Sequence, residues 1–182
     1  MDLHTIYTIA HLLGVAVGAG GAYMSDVMFM SSVKDNRINH TEYKFMQTGS
    51  LFVWIGIGLL VISGLLLFSL NPSFYLESDK FISKMSIVLI LIANGIFFHR
   101  WHMPVIKAHK DQEFNQLKRF RKARRWLVYS GAISIISWTF ALVLGAWRTI
   151  PYNVLEIMSA YVLVLFSGLI IGRLYFHHKF KL

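Results

Sequence analysis

Residues 48–70 read TGSLFVWIGIGLLVISGLLLFSL, 23 positions without one Asp, Glu, Lys, Arg or His. A bilayer's hydrocarbon core takes about 20 residues of α-helix to cross. Within it every backbone N–H and C=O must be satisfied internally, which leaves helices and closed barrels as the only spanning structures. This stretch is therefore predicted to cross a membrane as a helix, closed by the turn signal Asn71-Pro72-Ser73. Outward from it, four more apolar stretches are long enough to do the same, near 5–31, 82–103, 126–147 and 152–176. The fourth and fifth are joined by a short connection holding Pro151, which fits an antiparallel helix hairpin. The expectation is an all-α fold: one domain, 1–182, built as an integral membrane bundle of five transmembrane helices.

Composition agrees. Of 182 residues 55% are hydrophobic and 15% charged, and mean hydropathy is +0.53, more apolar than a soluble surface of this size allows. The net charge of +9 does not point to nucleic acid, because the basic residues gather between the apolar runs. No cysteine is present, which excludes disulfides, thiolate metal sites and cysteine nucleophiles. The opening Met1-Asp2-Leu3-His4 lacks the basic start of a signal peptide, so the first apolar run reads as a retained span.

Lysine and arginine set the orientation. Arg100, Lys107, Lys110, Lys118, Arg119, Arg121, Lys122, Arg124 and Arg125 surround the loop 104–125. With five spans this loop shares a side with Lys34, Arg37, Lys44, Lys179 and Lys181. The positive-inside rule then places the N-terminus outside and the C-terminus in the cytoplasm. The basic loop is expected to extend the third or fourth span as a helix, or to lie along the lipid surface. There it either meets anionic lipid headgroups or serves as a solvated topology determinant.

Ionisable groups within hydrocarbon are costly, so each is a functional candidate. His4, His11, Gly18 and Ser25 recur every seven residues, with Gly14 and Gly21 between them, and so share one helical stripe. Such a smooth track admits either another helix backbone or a flat ligand such as a porphyrin. A neutral imidazole is a common axial ligand of haem iron, which makes His11 a candidate ligand against the alternative of a histidine hydrogen-bonded to its neighbour. On the third span Met85, Val88, Ile92, Gly95, His99 and His102 share a stripe, with Lys84 at its start. On the fifth, Glu156, Ser159, Leu163, Phe166, Ile170 and Arg173 do.

Depth limits which groups can meet. At a rise of about 1.5 Å per residue, His11 lies level with Lys84, Met85, Glu156 and Met158, while His99 lies near Asp26 and Arg173. His11 and His99 are then ~20 Å apart along the membrane normal, too far to share one iron. Two arrangements remain. One is a single haem on His11, its second axial position open or filled by Met85, Met158 or Lys84. The other adds a second site at His99 or His102, with Arg100 or the remaining histidine meeting a propionate. Arg173 either belongs to that second site or neutralises Asp26. Glu156 either pairs with Lys84 or carries protons, and Lys84 and Glu156 are the catalytic candidates. The five tryptophans read mostly as interfacial anchors. Ser130, Ser134 and Ser137 read as a packing stripe. Phosphate loops, dinucleotide fingerprints, metalloprotease helices and nucleophile elbows are absent.

The segment Thr8-Ile9-Ala10-His11-Leu12-Leu13-Gly14-Val15 through Gly20-Gly21 resembles the opening helix of small bacterial membrane proteins. These are the group of copper-resistance protein D and the haem-containing, membrane-embedded protoporphyrinogen IX oxidase. Lys84-Met85-Ser86-Ile87-Val88-Leu89 is similar to the oxidase helix that a lysine opens. The resemblance spans about the first hundred residues. It implies haem b at His11 and a place in the bacterial cytoplasmic membrane. Where the oxidase carries a histidine after its lysine, this chain has Asn94-Gly95, a departure that bears on porphyrinogen oxidation more than on haem binding.

The leading expectation is a haem b-binding membrane protein that transfers electrons or oxidises a small membrane-accessible substrate, with a quinone as a natural redox partner. Self-association into a homo-oligomer is open. The alternatives are a transporter or metal-permeation protein using Asp26, His99, Glu156 and Arg173, and a non-catalytic assembly or sensor subunit. Five spans without evident inverted repeats fit the common transporters poorly.

Overall fold

The computed structural model describes residues 2–34, 37–108, 110–112 and 118–180, with side chains omitted at 33–34, 118–125 and 175–180. No strand occurs among them. Helix α1 runs Leu3–Lys34, α2 His40–Leu70, the short α3 Pro72–Leu76 and α4 Asp79–Phe97. A π-helical turn, Phe98–His102, carries α4 directly into α5, Met103–Ala108. Helices α6, Lys118–Ala146, and α7, Val154–Phe180, complete the chain. Five of these units are long and apolar enough to cross a membrane: Leu3–Ser32, His40–Leu70, Asp79–Ala108, Trp126–Ala146 and Val154–Leu174. The protein is thus a multi-pass membrane bundle. Large apolar side chains that a soluble protein would bury, such as Leu89, Leu155 and Ile171, stand exposed on its outside, as lipid contact demands.

The helices are longer than the apolar runs alone suggest, because polar residues cap them. Helix α2 starts at His40 rather than near 48. Asn39 accepts from the Glu42 N–H, and Glu42 accepts from the Asn39 N–H, a reciprocal capping box. The Ser78 hydroxyl accepts from the Phe81 N–H to start α4. Asn153 and Glu156 repeat the box at the start of α7. The basic segment extends both neighbouring spans, as α5 on one side and the first turns of α6 on the other. Arg100 and Lys107 are exposed there. The basic side chains at 118–125 lie outside the described residues, as do Glu113 and Lys181 altogether.

Glycine decides how the bundle closes. On α1, Gly14, Gly18 and Gly21 face Gly49 and Gly56 on α2, and the two backbones touch. A Cβ on Gly56 would overlap the Gly18 backbone, and one on Gly21 would lie 2.8 Å from the Gly49 carbonyl oxygen. This is the small-residue seam of membrane helices, where backbone approach replaces the hydrophobic force that lipid removes. Gly18 is also the notch for Trp138 of α6, whose indole would collide with any Cβ there. Trp138 is therefore 1% exposed at the heart of the bundle, not an interfacial anchor; Trp101, Trp126 and Trp147 are half exposed, as anchors should be.

Polar pairs fasten the remaining helices. Asn94 donates to the Ser130 carbonyl (3.0 Å) and accepts from the Ser130 hydroxyl (2.9 Å), tying α4 to α6. Ser137 and Tyr161 share a 2.8 Å bond between α6 and α7, and Tyr23 meets Thr139 at 2.9 Å between α1 and α6. Because α2 is drawn tightly against α1, it scarcely touches α4. The resulting gap is closed at the end nearest the N-terminus by Phe68, Tyr75 and Phe81, with Phe68 and Phe81 stacked at 5.9 Å.

The seam is testable by a pair of substitutions. Gly56→Ala is expected to lower the thermal midpoint in detergent. Gly58→Ala, which meets open space, is expected to leave it unchanged or to stabilise by up to about 1 kcal/mol through helix propensity. Equal behaviour of the two would show that α1 and α2 do not meet along the glycines.

Candidate functional site

The gap between α2 and α4 holds a cavity of about 350 Å³ near the face of the bundle that carries the N-terminus. Its walls are almost wholly apolar, with Val61, Leu65, Phe68, Phe81, Val88 and Leu91 among them. Val61, Leu65 and Leu76 on its rim are exposed, so it opens sideways between the helices. Two polar groups enter it, His11 from α1 and Lys84 from α4.

The His11 ring is held by a defined network. The Ser63 hydroxyl of α2 donates to the Leu59 carbonyl at 2.5 Å, so it can only accept at 3.0 Å from His11. This fixes the proton on Nδ1 and leaves Nε2 as an acceptor lone pair. Lys84 Nζ approaches that lone pair at 3.2 Å and donates to it. Gly64 flanks the ring, where a Cβ would lie in ordinary contact at 3.7 Å from the imidazole Cε1. His11 is thus hydrogen-bonded to neighbouring helices on both nitrogens, with Nε2, the nitrogen a metal would use, reached only by a flexible amine at the cavity wall.

The structure brings together His11, Lys84 and Met85, as the depth argument expected. The other candidates it separates. Gly14 and Gly18 face α2 and Trp138 rather than the cavity, so they supply packing, not a ligand surface. Met158 packs in a different cluster with Ile87, Leu144, Ile157 and Tyr161. Glu156 is committed to capping α7 and pairs with Asn153, not with Lys84. Arg173 is exposed on α7 and does not neutralise Asp26. Asp26 Oδ2 is buried without a hydrogen-bond partner.

His99 and His102 part company through the π turn, whose wider pitch breaks the stripe read from α-helical spacing. His99 lines a groove of about 790 Å³ toward the basic face, whereas His102 is buried against Phe97 and Phe98 with its Nε2 unpartnered. Sequence reasoning missed Ser63 and Gly64. Ser63 is the one hydroxyl within residues 51–68 and was the available signal.

Among the described residues no three His, Cys, Asp or Glu side chains gather to hold a metal ion. A haem asks for less, because its own ring nitrogens fill four positions and the protein adds one or two axial ligands. The residues present fit that demand: a Nδ1-anchored imidazole, a thioether and an ammonium beside an apolar slot. Comparison with protein families, with curated proteins and with solved structures finds no match to this chain.

Nitrogen NMR of the purified protein reads the His11 tautomer directly. The network predicts protonated Nδ1 and unprotonated Nε2, and loss of that preference in Ser63→Ala. A proton on Nε2 in the unaltered chain would contradict the assignment.

Proposed function

We propose that this chain binds haem b in the cavity between α2 and α4, with His11 Nε2 as axial ligand. In this reading it transfers electrons, or oxidises a small substrate that reaches the site from the membrane. The observation that carries the reading is one imidazole, its Nδ1–H fixed by Ser63 and its Nε2 turned into an apolar space of ligand size. Bound there, haem would supply one-electron redox chemistry at a potential tuned by its axial ligands and by burial.

The chain's own residues would do the rest. Ser63 orients the imidazole and enriches Nε2 by accepting the Nδ1 proton's hydrogen bond. Lys84 now satisfies the Nε2 lone pair and, on a flexible stem, can turn away to an acidic group of the cofactor or act as second ligand. Met85 offers a thioether from the same wall. Phe68 and Phe81, packed with Tyr75, would exclude water from that end. The open rim between α2 and α4 would admit an apolar reductant or oxidant, for which a quinone is the natural class. Lys84 remains the catalytic candidate if the protein is an enzyme; Glu156, held in its capping box, does not.

The setting we propose is the bacterial cytoplasmic membrane, with the basic face inward and Arg100 and Lys107 beside anionic headgroups. A permeation path through Asp26, His99, Glu156 and Arg173 finds less support, since Glu156 and Arg173 stand apart from the other two.

Protein purified in mild detergent from haem-replete cells is expected to show a Soret band and a reduced-minus-oxidised difference spectrum. His11→Ala should abolish or shift both, and His99→Ala should leave them intact. A colourless protein that fails to take up added haem, or a spectrum indifferent to His11→Ala, would overturn the reading.

A further inference from the structure

A second, smaller cavity of about 60 Å³ lies farther along α1 toward the basic face, separate from the one at His11. Ser25 and Asp26 of α1, Ser50 of α2, Asn94 of α4, and Ser130 and Ser134 of α6 line it. At about 10–15 Å³ per water centre, it has room for a few waters among polar partners. Asn94 and Ser130 satisfy each other. The Ser25 hydroxyl donates to the Gly21 carbonyl, keeping its lone pairs free. Asp26 is the exception: Oδ2 is buried without a partner, while Oδ1 faces Gly131, where a Cβ would lie 3.2 Å away.

Among the described residues no other titratable or charged side chain lines this cavity. From α2 it meets Ser50 and Trp54, from α4 Asn94 and Phe98, and from α6 Ser130, Gly131 and Ser134. A carboxylate at such depth without a countercharge among the described residues is costly, and taking up a proton removes that cost. The two sides of the cavity differ. Toward the N-terminal face Ala19, Ala22, Ile57, Leu91 and Trp138 form a buried apolar plug. Toward the basic face Ser50 and Trp54 are shared with the wide groove that holds the exposed Lys44, Gln47, Thr48 and His99.

We propose that Asp26 is a proton-binding site at the blind end of a half-channel that opens on the basic face. The proton adds to Oδ2 through water at Ser50, converting the carboxylate to a neutral acid, and leaves by the same route. His99 stands in the groove through which it passes. The plug of Trp138 and its neighbours stops it from crossing. This inference does not depend on haem, and its test does not involve His11.

The absence of native cysteines makes the test clean. In full-length protein in lipid nanodiscs at neutral pH, infrared difference spectroscopy should show the carbonyl stretch of a protonated carboxyl group. The band should move on exchange into heavy water and vanish in Asp26→Asn. Ser50→Val should keep the band while slowing its exchange several-fold, which gives a readout should Asp26→Asn fold poorly. In sealed vesicles, Ser50→Cys should react with a membrane-impermeant thiol reagent from the basic face only. Four outcomes would overturn the proposal. They are no protonated-carboxyl band, a band unaffected by Asp26→Asn, a band lost when choline is replaced by sodium at constant pH (a metal-cation site instead), or labelling of Ser50→Cys from the opposite face.

Discussion

The contact on which this bundle depends is bare backbone against bare backbone, at Gly14, Gly18 and Gly21 of α1 and Gly49 and Gly56 of α2. In lipid there is no hydrophobic gain in bringing two apolar helices together, so close approach and dispersion must do it. The seam spends α2's glycine face on α1 and holds α2 away from α4. The gap left between them is the one at His11 and, lower down, the groove at His99. Both of these spaces are consequences of that single choice of partner.

Within this frame, each buried polar group is answered or left open in an informative way. Asn94 and Ser130, Ser137 and Tyr161, and Tyr23 and Thr139 close on each other and hold the helices together. His11 is answered on one nitrogen by Ser63 and on the other only by the movable amine of Lys84. Asp26 is left open on one oxygen. Unanswered or weakly answered groups at membrane depth are expensive, and His11 and Asp26 each border a cavity. The two have different chemistry: an apolar slot with a lone pair suits a flat aromatic ligand, and a small hydroxyl-lined chamber with a carboxylate suits a proton and water.

Much of this was legible in the sequence because the bilayer imposes simple rules. Uncharged runs of the length of 48–70 have few other uses, and the five spans follow from them. The meeting of His11, Lys84 and Met85 followed from counting residues along antiparallel helices. What spacing could not convey was azimuth. Gly14 and Gly18 share the His11 stripe, yet they turn toward α2 and Trp138, while the ring itself reaches past Gly64 into the gap. The π turn at Phe98–His102 rotates His102 away from His99, a change no α-helical wheel contains. Glu156 looked like an intramembrane acid, but the preceding Asn153 marks it as half of a capping box. Trp138, mid-span where the other tryptophans read mostly as anchors, fills the notch that Gly18 leaves on α1.

The central claim is that α2 stands off from α4 and leaves His11 Nε2 facing a slot within the membrane. An experimental density map of the protein, taken from its native membrane into lipid and never stripped with harsh detergent, addresses this most directly. The account predicts flat, continuous density between Val61, Phe68 and Val88, in contact with Nε2. A map in which α2 and α4 side chains interdigitate across that space and leave no room beside the His11 ring would contradict it.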